Sequence, residues 1–397
     1  MAARGTGRRL LDLLTPGELR SVRSQCPTVP GTKVTVGMSG GVDSSLSAAL
    51  LVGLGHLDVR GCFMKNWDMV EEEPTLVAAC SQEQDFKDAQ FVAQQLGLPE
   101  VAEVDFTKEY WCKVWEPCLK QYERGKTPNP DTMCNRQIKF DLFQRANPGA
   151  VVATGHYARL DFNHQLCRGL DPNKDQSYFL STVLPQQFQQ ACFPIGGLDK
   201  QRVKLLAREI GLDRIANRPE SQGVCFIGER GKRFSSFLED YLLNPGGEFR
   251  SVLHPEKRLG RHQGLLSYTV GQRARVSGLD IAHFVAKKDS RTGDVWIAPL
   301  GHPAHRVDWV AVKFEREIFA SVAQQLQTSL EAQVRYRTQP VSCTVEKEGE
   351  GEEGFVTCKV RFHNAVSVPE GQVLALYAGD RCLGGGEITV AHHAYFD

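Results

Sequence analysis

Val34-Thr35-Val36-Gly37-Met38-Ser39-Gly40-Gly41-Val42-Asp43-Ser44 is the stretch that decides the fold of this chain. Its β-branched residues predict a buried strand, its glycines predict a turn, and Asp43-Ser44 predicts the start of a helix. Such a loop offers backbone N–H groups, hydroxyls and a helix N-terminus, which together can bind an anion such as pyrophosphate. We therefore expect a nucleotide at Gly37, Met38, Ser39, Gly40, Gly41, Val42, Asp43 and Ser44.

The glycines of this loop are not followed by the lysine that Gly-x-x-x-x-Gly-Lys-Ser/Thr requires. Ser-Gly-Gly-x-Asp-Ser resembles instead the PP-loop of ATP pyrophosphatases, which activate a carbonyl or amide oxygen by adenylation and release pyrophosphate. An ordinary turn between a strand and a helix is the alternative interpretation.

Length and composition indicate a globular protein of two or three domains, because the chain has 397 residues and ordinary charged and apolar fractions. The formal net charge is zero, so a nucleic-acid surface would have to be local. The chain has 12 cysteines and no secretory h-region, which indicates reduced thiols. No Cys-x-x-Cys pair is present, and we expect no metal site and no membrane span.

Residues 1–32 form a leader with more arginines than acids: Arg4, Arg8, Arg9, Arg20 and Arg23 against Asp12 and Glu18. Leucines could line one face of a helix in this leader, which resembles a mitochondrial presequence. A disordered tail on a cytoplasmic enzyme is the alternative. Since the first predicted strand begins at Lys33, we expect the leader to be dispensable to the fold.

Strands and helices alternate from residue 33 to about residue 228, which predicts an α/β domain with a doubly wound parallel sheet. In such folds the ligand lies beyond the carboxyl ends of the strands. Met64 and Gly155 end two predicted strands, and we expect both to contact the nucleotide. Plain core packing is the alternative for Met64. The predicted elements are strands 58–64, 101–106 and 150–154 and helices 81–96, 108–123 and 134–146.

The loop Gly125-Lys-Thr-Pro-Asn-Pro-Asp-Thr-Met-Cys134-Asn135 precedes one of these helices. Its two prolines disfavour a helix that starts before Asp131, and Asp131 is predicted to cap the helix. Cys134 would then lie in the first turn, where the helix dipole and nearby basic residues favour the thiolate. Cys134 is therefore the best candidate nucleophile, and Asp131 joins it as a catalytic candidate.

Six motifs occur in the order found in the tRNA-specific 2-thiouridylase family: Ser39–Ser44, Phe63–Asp68, Thr127–Asn135, Ala153–Ala158, Lys174–Leu180 and Ser221–Gly228. The resemblance extends from about residue 33 to the end of the chain. It implies that Cys134 is the nucleophile and that Cys225 carries sulfur as a persulfide. It also implies ATP as co-substrate, with Mg²⁺ expected, and a donor or relay protein that supplies the sulfur.

The implied chemistry needs two thiols, because a carbonyl oxygen is a poor leaving group until ATP adenylates it. A persulfide on Cys225 would deliver sulfur to C2 of the wobble uridine, at position 34, as AMP leaves. Cys134 would attack the bridging sulfur, which leaves a Cys134–Cys225 disulfide for a reductant to reset.

The resemblance also implies contacts with tRNA at Asn129, Pro130, Asp131, His156, Lys174, Asp175, Gln176, Arg335, Tyr336 and Gln372. His156 could stack on a flipped base, although a lone histidine is more often structural. A helix N-terminus is the alternative for Lys174-Asp175-Gln176, and ordinary exposed strand residues are the alternative for Arg335, Tyr336 and Gln372.

Residues 200–291 carry 18 Lys and Arg against 10 Asp and Glu, which indicates a phosphate-tracking surface or a solvated helix face. We expect a central tRNA-docking module at 229–301 after a catalytic domain at 33–228. Short alternating strands from residue 302 onward predict an antiparallel β-barrel at 302–397. Gly349-Glu-Gly351-Glu-Glu-Gly354 matches Gly-x-Gly-x-x-Gly, but its acids would repel a pyrophosphate, so we expect a hairpin loop there.

Two rival functions remain for a chain expected to be a monomer. A PP-loop ligase that forms amides would share the first loop without needing Cys134 or Cys225. A non-catalytic tRNA-binding protein would share the basic middle and the barrel without needing Asp43 and the glycine turn.

Overall fold

The computed structural model describes residues 2–67, 81–219, 234–351 and 354–396. These residues form two compact units. The first unit draws on Met1–Val114, Asp131–Gly228 and Asp380–Cys382, and the second on Trp115–Pro130, Glu229–Gly379 and Leu383–Asp397. The predicted division at residues 228 and 301 stays a prediction, because the structure groups the central and last segments together and adds Trp115–Pro130 to them.

A parallel sheet forms the centre of the first unit, in the order β3-β2-β1-β4-β7. This sheet confirms the predicted α/β class. The strands of the unit are β1 (Lys33–Gly37), β2 (Asp58–Lys65), β3 (Ala102–Asp105), β4 (Val151–Ala153), β5 (Ala158–Leu160), β6 (Leu166–Arg168) and β7 (Ala191–Cys192). Strands β5 and β6 pair as a short antiparallel hairpin, and His164 in its turn has a φ of 57°, a left-handed conformation typical of such turns.

Helices follow most of these strands. Their bounds are α1 (Ala2–Asp12), α2 (Pro16–Ser24), α3 (Val42–Leu54), α4 (Ser81–Leu96), α5 (Thr107–Tyr110, continued by Trp111–Trp115 and Glu116–Glu123), α6 (Pro130–Cys134, continued by Asn135–Leu142 and Phe143–Ala146), α7 (Ser177–Leu180), α8 (Lys200–Glu209) and α9 (Asp213–Ala216). The central parts of α5 and α6 have wider π-type turns.

Strand β1 is the middle strand of the sheet, with β2 on one side and β4 on the other. Its residues Val34 and Val36 are buried, and Leu46 and Leu50 of α3 belong to the same core. A strand covered on both faces reads as a continuous β-branched run, as this one does. The chain therefore passes from β1 to α3 at the carboxyl edge of the sheet. This edge presents the loop from Gly37 to Ser44, which we call the phosphate loop after its predicted ligand.

The leader is part of the fold, so the expectation that it is dispensable was wrong. Leu10, Leu14 and Val22 are buried in the core of the first unit. A Cβ on Gly7 would lie 2.8 Å from the backbone nitrogen of Gly53, which shows how closely α1 approaches α3. The apolar positions read as one face of a targeting helix serve here as core contacts.

Polar contacts hold α2 as well. The Arg202 guanidinium lies 2.8 Å from the Glu18 carboxylate, and the Gln25 amide exchanges two hydrogen bonds with the backbone of Leu160. Thr15 and Glu18 also form a capping box at the start of α2. The chain from Thr15 to Gln25 is thus fixed at both of its ends.

The central part of the second unit contains helix α10 (Phe234–Glu239) and a four-stranded sheet in the order β10-β11-β8-β9. Its strands are β8 (Gly247–Ser251), β9 (Arg258–His262), β10 (His283–Lys288) and β11 (Val295–Pro299). Phe249, Val285 and Ile297 are buried between them.

Six antiparallel strands then close into the predicted barrel, since β12 pairs with both β15 and β17. They are β12 (Val307–Glu315), β13 (Leu330–Gln333), β14 (Val341–Glu350), β15 (Phe355–Val366), β16 (Val373–Ala378) and β17 (Arg381–His392), with helix α11 (Arg316–Ala323) after β12. Strands β14 and β15 pair across Gly351 and Gly354, which confirms the hairpin expected there. Within the described ranges, each helix is too short or too polar to cross a membrane.

Candidate active site

The phosphate loop folds back onto the start of α3. The Ser39 N–H donates to the Ser44 hydroxyl at 3.2 Å, and that hydroxyl lies 3.1 Å from the Gly41 carbonyl. Helix α3 begins after Gly41, which has no side chain to accept a bond from the first helical N–H groups. The loop thus presents the first turn of a helix to an anion, as the pyrophosphate interpretation requires.

Two glycines allow the close approaches that shape this loop. Gly40 has a φ of +72°, and a Cβ on it would overlap the backbone carbonyl of Asp85 at the start of α4. A Cβ on Gly155 would lie 2.6 Å from the Ser44 nitrogen. The structure therefore brings Gly155 next to the loop, as its position after a strand suggested, while its contact with a nucleotide stays a prediction.

Some of the residues predicted to contact the nucleotide pack inside the protein. Met38 is buried, and its N–H donates to the Cys62 carbonyl at 2.8 Å. Val42 is buried as well. The end of the Met64 side chain lies 3.1 Å from the position of a Cβ on Gly37, so Met64 is placed at the base of the loop. For these three residues the nucleotide contact stays a prediction.

An ammonium group that sequence reasoning missed sits at the loop. The Lys200 Nζ atom lies 2.7 and 2.8 Å from the two carboxylate oxygens of Asp43, and the Tyr157 hydroxyl donates to the same carboxylate at 2.6 Å. Lys200 is 157 positions from Asp43 in sequence, so no local motif marks the pair. The only available signal was Asp199, which caps α8 and places Lys200 at its first position.

A second cluster of charges braces the loop from α4. Arg218 donates to the Gly40 carbonyl at 3.2 Å and pairs with both Asp85 and Asp88, and Arg214 also bonds to Asp88. Burial raises the pKa of the Asp85 carboxyl, while its bond to Arg218 acts in the opposite direction. Part of the basic stretch after residue 200 is thus used inside the first unit.

Helix α6 begins at Pro130, which corrects the prediction for the start of this helix. Proline is well suited to the first helical position, so Asp131 lies within the first turn and does not cap it. Cys134 becomes the fifth helical residue, beyond the first turn where the dipole acts most strongly, so the expected stabilisation of its thiolate by the dipole is weaker. The Cys134 side chain is buried.

The same helix packs beneath the phosphate loop. The Phe143 ring lies 3.5 Å from the position of a Cβ on Gly37. Asn135 donates to the Phe179 carbonyl at 3.1 Å, which ties the helix to α7. Burial raises the pKa of the Asp131 carboxyl, while the Lys139 charge acts in the opposite direction. A carboxyl with a raised pKa is suited to holding and passing on a proton.

Cys225 lies outside the described residues, together with the rest of the Ser221–Gly228 motif and with Asp68. The approach of Cys225 to Cys134, and the disulfide between them, therefore stay predictions.

His156 occupies an aromatic pocket inside the first unit. Its ring packs against Phe140 and Phe193, and its Nδ1 atom lies 2.7 Å from the Thr154 hydroxyl. Burial, with a smaller contribution from the Lys139 charge, holds the pKa of His156 well below its usual value of 6.5. A contact with a flipped base would require this pocket to open, and it stays a prediction.

All three residues of the Lys174-Asp175-Gln176 triplet bond to the chain itself, Lys174 through its N–H to the Asp171 carbonyl. Asp175 accepts hydrogen bonds from the Gly169 and Ser177 N–H groups, and Gln176 exchanges two bonds with the backbone of Tyr157. These bonds hold the segment that carries Tyr157 toward Asp43. They support the structural alternative for Asp175 and Gln176, and the tRNA contact of the triplet stays a prediction.

The remaining predicted tRNA contacts lie in the second unit. Gln372 donates to the Thr127 carbonyl at 2.6 Å, so it holds the loop that carries Asn129 and Pro130. Strand β13 ends at Gln333, before Arg335 and Tyr336, and Arg335 donates to the Val270 carbonyl. Contacts of Asn129, Pro130, Arg335, Tyr336 and Gln372 with RNA are not tested by this arrangement and stay predictions.

Three family models match the chain in series. They are described as a tRNA methyl transferase HUP domain (residues 32–229), a tRNA methyl transferase PRC-barrel domain (residues 235–299) and an aminomethyltransferase beta-barrel domain (residues 304–388). A solved structure described as NMN synthetase from Francisella tularensis matches 62% of this chain and 89% of its own, with 14% identity and a TM-score of 0.33. An identity and a TM-score this low show neither a common fold nor a common function.

Curated relatives match almost from end to end, and each is named tRNA-specific 2-thiouridylase MnmA. The relative from Francisella tularensis subsp. holarctica is 41% identical over 382 residues, which cover 90% of this chain and 99% of the relative. The relative from Chlamydia abortus is 41% identical, with 90% and 97% covered. The relative from Pseudomonas aeruginosa is 40% identical, with 92% and 96% covered. The chain therefore belongs to the tRNA-specific 2-thiouridylase MnmA family.

Proposed function

We propose that this chain is an ATP-dependent tRNA sulfurtransferase that makes 2-thiouridine at the wobble position. One observation carries the proposal. Helix α6, which contains Cys134, packs beneath the phosphate loop of the same unit through a contact of Phe143 with Gly37. The names of the relatives support the same activity.

The reaction begins with adenylation. The O2 atom of uridine forms a bond to the α-phosphorus of ATP, and the bond to pyrophosphate breaks. The N-terminus of α3 and the hydroxyls of Ser39 and Ser44 would bind the phosphates, because they converge at the loop. Mg²⁺ would accompany ATP as a substrate complex.

Sulfur transfer follows at the cysteines. The terminal sulfur of a Cys225 persulfide attacks C2, and AMP leaves with the former O2. The Cys134 thiolate then attacks the bridging sulfur, which releases 2-thiouridine and leaves a Cys134–Cys225 disulfide. A donor or relay protein supplies the sulfur, and a thiol reductant resets the pair. Asp131 lies on the same helix as Cys134, and its raised pKa suits it to accept and pass on a proton.

An amide-forming PP-loop ligase is the second candidate, since it would use the same loop. It would not need Cys134, which separates the two candidates experimentally.

We also propose a mitochondrial location from the arginine-rich leader, with the cytoplasm as alternative. Imaging of the full chain with a C-terminal fluorescent tag tests this location.

The experiment is mass spectrometry of tRNA nucleosides after incubation with ATP, Mg²⁺, tRNA and a persulfide donor. We expect Cys134→Ser and Cys225→Ser to abolish 2-thiouridine while tRNA binding is kept. The control is Cys112→Ser, because Cys112 is exposed and lies outside the proposed relay. Unchanged thiolation by either of the first two variants would contradict the proposal.

A further inference from the structure

The Asp43–Lys200 pair has an unusual position, at the loop expected to bind phosphates. The side chains are 33% and 11% exposed, so the ammonium is more enclosed than the carboxylate. A carboxylate on its own would repel a polyphosphate at this loop. Lys200 offsets that repulsion because it brings a positive charge to the same place.

The backbone around Lys200 holds it at this place. Lys200 is the first residue of α8, and Asp199 caps the helix by accepting a bond from the Arg202 N–H at 2.7 Å. The Lys200 N–H donates to the Asp171 carboxylate at 3.1 Å. The turn before it is closely packed, since a Cβ on Gly197 would overlap the side chain of Ser21. Only the flexible stem of Lys200 is left to move its ammonium group.

Tyr157 allows the pair to exchange partners. Its hydroxyl donates to Asp43 at 2.6 Å, and the Lys200 ammonium lies 5.5 Å from the centre of its ring. Asp43 would therefore keep a hydrogen-bond donor if the ammonium turned toward an anion in the loop.

The sequence of the loop is a second reason to expect that Lys200 binds phosphate. It lacks the lysine that follows the glycines in the common mononucleotide loop. A lysine from the start of a distant helix would supply the missing charge. We propose that Lys200 binds the β-phosphate of ATP and the departing pyrophosphate. This inference rests on the proposed adenylation. As the bond between the α-phosphorus and the bridging oxygen breaks, its electron pair leaves on pyrophosphate, and the Lys200 ammonium stabilises that charge without giving up a proton.

The test is calorimetric binding of inorganic pyrophosphate at fixed Mg²⁺ concentration, without tRNA or sulfur. We expect Lys200→Met to lower the affinity about 10- to 100-fold, the range for a charge-assisted hydrogen bond, and Lys200→Arg to retain most of it. The control is Lys87→Met, which removes an exposed ammonium that also pairs with a carboxylate, Glu83, and should leave the affinity unchanged.

Lys200 could instead serve only to neutralise Asp43, and a double variant separates the two roles. In an Asp43→Asn background no carboxylate is left to neutralise. We expect Lys200→Met to lower pyrophosphate affinity there by a similar factor. The double variant also leaves no unpaired charge, so it provides a folded sample if the single variant is unstable.

The outcomes distinguish this inference from the proposed function. If Lys200→Met leaves pyrophosphate affinity within twofold in the Asp43→Asn background, the role of Lys200 is overturned, even if Lys200→Met stops thiolation. Lack of pyrophosphate binding by the unaltered chain would overturn it as well. Binding that depends on Lys200 in a chain that makes no 2-thiouridine would support it while refuting the thiolation proposal.

Discussion

His156 illustrates how burial decides the role of a single residue. Its neighbours Gly155 and Tyr157 both contact the start of α3, but the His156 ring points into a pocket with Phe140 and Phe193. A low pKa follows from that burial, so the neutral ring is the form that fits the fold.

This burial predicts a dependence of stability on pH. The folded pKa lies below the unfolded value, so the unfolded chain binds the proton first as pH falls below about 6.5. The stability contributed by neutral His156 is present above that pH and is lost below it, with a slope of at most about 1.4 kcal/mol per pH unit.

Thermal unfolding of the parent chain and of His156→Gln at pH 7.5 and at pH 5.5 checks this dependence. We expect the midpoint of the parent to fall further than that of the variant on acidification. The comparison cancels the other titrating groups, including His262 and His305, whose pKa values burial also lowers. Equal shifts in the two proteins would show that His156 titrates normally.

Residues also show where sequence reasoning stopped. The loop residues from Gly37 to Ser44 were recognisable because strand, turn and helix signals follow each other along the chain. Lys200 and Tyr157 were not recognisable, because their partner Asp43 is distant in sequence and only the fold brings them together.

Among the elements, the helices α1 and α2 depart most from expectation. Arginines and leucines at helical spacing are typical both of a targeting segment and of an amphipathic helix that packs on a domain. The sequence pattern is the same in both cases. Burial of Leu10 and Leu14 shows that α1 packs on the domain, while a role in targeting stays a prediction.

Leu10→Ala tests the packing of α1. Leu10 is fully buried, so truncation should cost about 2 to 5 kcal/mol through lost contacts and an internal cavity. Thermal unfolding should show a midpoint several degrees lower. The control is Arg9→Ala, the exposed neighbour on the same helix, for which we expect almost no shift. If the two variants have the same unfolding midpoint, α1 does not belong to the cooperative unit.

Helix α6 shows a smaller departure with a clear physical reason. Asp131 was predicted to cap this helix because Asp is a good N-cap, but the helix begins at Pro130, which suits the first helical position. A shift of two residues makes Cys134 the fifth helical residue instead of the third, beyond the first turn. Burial therefore affects the Cys134 thiol more than the helix dipole does.

For the whole molecule, periodicity was sufficient to predict both fold classes. Continuous β-branched runs such as Val34–Val36 predicted the parallel sheet, and short alternating strands predicted the closed barrel. The grouping of Trp115–Pro130 with the second unit was not predictable, because it depends on contacts such as that of Gln372 with Thr127.

The central claim is that one chain couples cleavage of ATP to sulfur transfer onto a uridine. The most direct test is to count AMP, pyrophosphate and 2-thiouridine in the same reaction with tRNA, ATP, Mg²⁺ and a persulfide donor. We predict one AMP and one pyrophosphate for each 2-thiouridine formed. Formation of 2-thiouridine without ATP, or with ADP and phosphate as the products, would contradict the account.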